Sequence, residues 1–122
     1  MRGGGSGSYR REDFIDELEA APKNPAIGST LWFENDHVRV WEVRLEPGQR
    51  APFHCHSQTY FWTCVDPGKG FQRFPDGTAQ VFDFALGETV FSEITAGDPM
   101  IHDLENIDDQ VVRFVAVELK DL

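Results

Sequence analysis

Cysteine is scarce in this 122-residue chain: Cys55 and Cys64 are the only two, too few for a disulfide framework, so a reducing, cytoplasmic setting is the expectation. Basic residues are also few. Eleven Lys and Arg stand against twenty-one Asp and Glu, a formal net charge of −10. Such a charge repels phosphate backbones and anionic lipid, which argues against nucleic-acid and membrane partners. No apolar run approaches the roughly 20 residues of a membrane-spanning helix. The first eight residues are mostly Gly and Ser, without the apolar stretch of a secretory signal, and read as a flexible lead over 1–8. What is present is a globular composition, 40% hydrophobic with ten Phe and three Trp, enough for the core of one domain.

Helical spacing occurs once. Over 10–21, Phe14, Ile15 and Leu18 share a stripe, Glu12 and Asp13 suit the positive end of a helix dipole, and Pro22 and Pro25 stop it. Residues 9–28 therefore read as a helix and linker packed on the outside of the remaining chain. From residue 29 the pattern changes to short strands, expected at 31–33, 38–45, 51–56, 59–65, 70–74, 79–84, 89–94, 100–107 and 111–119. Pro47-Gly48, Pro67-Gly68, Asp108-Asp109 and above all Pro75-Asp76-Gly77-Thr78 mark the turns. About nine strands with regular turns make an all-β sandwich or barrel over 29–122. The last strand is apolar on both faces, which calls for a second covering layer: the N-terminal helix or a second subunit. Together with the Leu31-Trp32-Phe33 run, it points to a homodimer.

The chain has four histidines, and they are not scattered. His54 and His56, two apart on one strand, project from the same face and can take adjacent positions on one metal ion. His102 lies on a later strand between Met100 and Leu104 of its own face, where an unpaired surface histidine would be out of place.

These residues resemble the cupin superfamily of small jelly-roll barrels. Gly48, five residues, His54-Cys55-His56 and a later Gly68 follow its first motif; His102, three residues and Asn106 follow the end of its second. The resemblance spans 31–119 and implies a single jelly-roll barrel with one metal site. The chain departs from the pattern where the family's glutamate ligand should stand, at Tyr60 or Phe61, and where Gly97-Asp98-Pro99 precedes the second-motif histidine. The ligand set implied is then His54, His56 and His102 alone, three neutral imidazoles that leave a divalent ion its full charge and up to three open positions. Three-histidine cupins of this kind include dioxygenases of diketones, thiols and hydroxylated aromatic acids. Fe(II) is the ion favoured for that chemistry, and Zn, Ni or Mn would bind the same ligands.

Tyr60 would face His56 across the hairpin, either assisting the chemistry through its phenol (by a hydrogen bond or by direct ligation with a lowered pKa) or serving as an aromatic wall. Trp62 and Cys64 share its face and, with Met100, are candidate pocket residues. Cys55 points away from the histidines, and His37 in its turn has no assigned role. Arg44, Arg50, Arg73 and Arg113 are candidate clamps for a substrate carboxylate, Arg73 first among them. The expected function is a metal-dependent enzyme for a small anionic or chelating molecule, an oxygenase foremost and a lyase or isomerase as the variant. The alternatives are a non-catalytic sensor or storage protein, and a barrel whose histidines hold no functional ion.

Overall fold

The computed structural model describes residues 2–95 and 97–120. A first strand, β1 (Arg2–Ser8), precedes a short helix α1 (Ile15–Ala20) set between two 3-10 turns, Arg11–Phe14 and Ala21–Lys23. Nine strands come after it: β2 (Thr30–Glu34), β3 (Val38–Leu45), β4 (Arg50–His56), β5 (Tyr60–Asp66), β6 (Gly68–Arg73), β7 (Thr78–Phe84), β8 (Thr89–Ser92), β9 (Met100–Asn106) and β10 (Val112–Leu119). They form, with β1, two antiparallel five-stranded sheets, ordered β1-β7-β6-β9-β4 and β2-β3-β10-β5-β8. Phe82, Phe84 and Leu104 of the first pack against Val43, Leu45, Val112, Phe114 and Ala116 of the second. The hairpin at 75–78 closes as its residue types require, with Gly77 at φ +92°, a conformation side chains other than glycine rarely adopt. Among the described residues no helix is long and apolar enough to cross a membrane.

The flexible lead expected over 1–8 is instead a strand along 2–8, paired antiparallel with β7 from Arg2↔Asp83 to Ser8↔Thr78. Backbone groups alone make this pairing, so a Gly/Ser-rich segment qualifies for it without any side-chain pattern.

Strand β10 lies in the middle of its sheet, between β3 and β5. Val112, Phe114, Ala116 and Glu118 point inward and are buried, whereas Arg113, Val115, Val117 and Leu119 alternate outward and are half-buried. The helix does not cover this outer face, because α1 packs on β4 of the opposite sheet. Along the outer face the pairing aligns Phe33, Val40, Val117, Phe61 and Phe91 in a single row across all five strands. The row ends on two exposed rings, Phe33 and Phe91.

The N-terminal segment is fastened to the first sheet by charge. Asp103, fully buried, accepts from Arg50 (2.8 Å), from the Arg73 guanidinium (3.0 Å) and from the Arg73 backbone amide (2.7 Å). Arg50 reaches on to Glu17 of α1, whose other oxygen accepts the Phe53 amide at 2.6 Å. The Phe14 ring lies over both guanidiniums, at 4.8 Å from Arg50 and 5.0 Å from Arg73. Beyond the helix the linker enters the core itself: Ile27 is buried there, and Asn24 accepts the Cys55 amide while its own side chain donates to the Phe53 carbonyl.

Candidate metal centre

An irregularity in β4 sets up the site. Between Ala51, opposite Leu104, and His54, opposite His102, β4 holds one residue more than β9. Pro52, which has no amide to give to the ladder, sits in that bulge, and Phe53 turns outward against Tyr9 and Phe14. Normal alternation then sends His54 and His56 inward, and β9 sends His102 to meet them. Cys55, between the two histidines, faces the other way.

The three imidazoles converge through Nε2. His56 Nε2 lies 3.0 Å from His54 Nε2 and 2.9 Å from His102 Nε2. The outer nitrogens fix two of the tautomers. His54 Nδ1 donates to the Pro52 carbonyl at 2.8 Å, and His102 Nδ1 donates to Gln72 Oε1 at 2.8 Å, so both aim an Nε2 lone pair at the centre. His56 Nδ1 has no hydrogen-bond partner. A proton on His56 Nε2 would satisfy just one of its two neighbours, and a proton on Nδ1 would leave three lone pairs facing one another. One cation satisfies all three. Three nitrogens about 2.0–2.1 Å from a single ion lie ~3 Å apart when at right angles and ~3.4 Å apart when tetrahedral. The observed 2.9 and 3.0 Å are the spacing of ligands that share one ion, and all three donor atoms lie within 4.8 Å of one another.

The surroundings keep the imidazoles neutral, the form that ligates. Burial lowers the pKa of His54, only partly offset by its bond to Pro52. Burial, then the proximity of His102 and His54, holds His56 far below the ordinary value. Burial and His54 bring His102 down to about 3. Among the described residues these three are the only group of His, Cys, Asp or Glu side chains close enough together to hold a metal ion. No carboxylate joins them.

Tyr60 occupies the place of the expected carboxylate. Its ring stacks on His56, with centroids 4.2 Å apart and planes within 10°. Burial raises its pKa to about 12, a hydrogen bond with Ser92 opposing and Glu118 reinforcing the shift. The histidines and Tyr60 lie in one cavity, about 490 Å³ counting its open mouth. Trp62 lines it, edge-on to Phe84 (5.6 Å) and Phe114 (5.3 Å). Cys64 does not reach it: the thiol is fully buried in the core and donates to the Asp66 carbonyl. Met100, half-buried opposite His56 at the start of β9, is also outside the wall.

Gln72 is the functional residue that sequence reasoning missed. It shares the inward face of β6 with Gly70, where a Cβ would come within 2.8 Å of Phe84 and 3.0 Å of Leu104. The available signal was parity: a polar residue two positions from an inward glycine, beside the more conspicuous Arg73. The motif's Gly48 and Asn106 serve the fold. Gly48 donates its amide to the Asn106 carbonyl, and the Asn106 side chain holds the carbonyls of Leu45 and Gln110.

No protein-family model matches the sequence, and neither does any curated protein. Solved structures do. A cupin domain from Bordetella pertussis Tohama I is similar over 80% of this chain and 96% of its own, with TM-score 0.68 and 25% identity. The fold is that of a cupin. A double-stranded β-helix protein from Klebsiella pneumoniae follows the cupin barrel over 85% of this chain and 86% of its own, with TM-score 0.59 and 20% identity. A polyketide cyclase from Streptomyces resistomycificus does so over 71% of this chain and 57% of its own, with TM-score 0.51 and 22% identity. In this chain the cupin-type barrel holds three histidines that could bind one metal ion in a largely apolar cavity.

Proposed function

We propose that this cupin is a metal-dependent enzyme acting on a small, anionic, chelating organic molecule, with dioxygenase-type chemistry at Fe(II). The observation that carries the reading is the ligand set: three neutral imidazoles with no carboxylate, in a cavity otherwise lined mostly by hydrocarbon and aromatic ring. A divalent ion held there supplies Lewis acidity undiminished by any anionic ligand and, as Fe(II), a site for O₂ beside the substrate. The protein does the rest. Gln72 holds His102 in the ligating tautomer, and the Pro52 carbonyl does the same for His54. Trp62, Phe84 and Phe114 exclude water from the far wall. Tyr60, the catalytic residue in this reading, keeps a proton at its hydroxyl and donates it in a hydrogen bond to an oxyanion of the substrate.

The test is to load the metal-free protein anaerobically with Fe(II), then offer β-diketones, thiols and hydroxylated aromatic acids at an oxygen electrode. Oxygen uptake with one class, roughly 10²–10⁴-fold slower in Tyr60→Phe at unchanged iron content, is the expected result. Proton exchange into a diketone without oxygen uptake would replace oxygenase by isomerase or lyase chemistry. Chelator binding with neither would make the protein a sensor or storage barrel, and failure to bind iron would overturn the reading.

A further inference from the structure

The cavity wall carries no charged side chain among the described residues. All four arginines considered as substrate clamps are engaged elsewhere: Arg44 with Glu46, Arg50 with Glu17 and Asp103, Arg73 with Asp103 and Glu105, and Arg113 with Asp66 and Glu42. Besides the histidines, Gln72 and Tyr60, the wall is hydrocarbon and aromatic ring, with Ile27, Val43, Leu104 and Phe114 among its members. On the metal-dependent reading above, the only positive charge a substrate meets is the ion itself.

We infer that the substrate has a single anionic group, at its chelating end, and an uncharged apolar or aromatic remainder. A second carboxylate or a phosphate held within the wall would lie against hydrocarbon with no cationic partner, and the site rejects it for that reason. Dicarboxylates and sugar phosphates are thereby excluded as a class. The probes are benzohydroxamate and 4-carboxybenzohydroxamate, which share a chelating head and differ by one charge at the far end. Each is titrated into the Co²⁺-loaded protein carrying Trp32→Phe and Trp41→Phe, and the visible spectrum of the cobalt and the fluorescence of Trp62 are followed. Benzohydroxamate should perturb both signals, and the carboxy analogue should bind at least about 100-fold more weakly. Ala51→Arg, which puts a guanidinium into the wall, should recover at least about tenfold of that loss at unchanged cobalt content. Equal binding of the two probes would overturn the apolar-remainder inference and leave the chelating reading intact. If neither probe perturbs bound cobalt, the chelating reading itself falls, and this inference with it.

Discussion

Changing any one of His54, His56 and His102 to alanine is expected to weaken divalent-metal binding by at least about 100-fold, taking the purified protein from one ion per chain to almost none. The size follows from the ligand count. With no carboxylate in reach, two imidazoles and water are all that remain, and the ion has lost a third of its protein ligands. Gln72→Leu makes the informative contrast. It leaves all three nitrogens in place and removes only the acceptor that holds His102 in its ligating tautomer. Second partners of this kind are typically worth 10–100-fold in metal affinity, so Gln72→Leu should fall between the wild type and the alanine variants. Competition against a chromophoric chelator measures all of these proteins on one scale. Stoichiometric metal in the triple alanine variant would show that the ion sits elsewhere.

The largest effect on stability is expected at Asp103, outside the cavity. Asp103→Ala removes the one fully buried carboxylate that Arg50 and Arg73 share, and both guanidiniums are themselves largely buried. Leaving buried charge without its partner typically costs about 3–5 kcal/mol, or roughly 10–20 °C in the midpoint of thermal unfolding for a domain of this size. The ion pair of Arg44 with Glu46 has side chains about half exposed, and its loss should cost little. Denaturant titration of Asp103→Ala and Arg44→Ala side by side tests the difference. A similar small loss in both would mean that the arginines find water when Asp103 is gone.

The parts of this molecule legible in its sequence are those written in side-chain periodicity. Period-two alternation placed His54, His56 and His102 on one inward face and Cys55 on the other, and the turn residues separated the nine strands between 30 and 119. What escaped depends on contacts that periodicity does not encode. The pairing of β1 with β7 is made by backbone, to which glycine and serine are indifferent. Arg50 and Arg73 read as candidate clamps for a substrate carboxylate, because nothing local shows that they share buried Asp103 beneath α1 and Phe14. Cys64 lies along the same strand as Trp62, yet the depth at which the cavity ends is set by Phe84 and Phe114 from other strands. Outward-facing Arg73 drew attention by its charge, whereas the neutral amide of Gln72 beside it is the group that meets a histidine.

Strand β4, which carries two of the three histidines, is the outermost strand of its sheet, and a strand in that position ordinarily offers free backbone groups to any passing chain. Here the offer is already taken: Asn24 accepts the Cys55 amide and holds the Phe53 carbonyl. The linker thus works as a guard on the metal-bearing edge. A chain cut back to residue 29 would carry the same histidines on a naked border, open to strand-to-strand aggregation and to water entering where Ile27 had been.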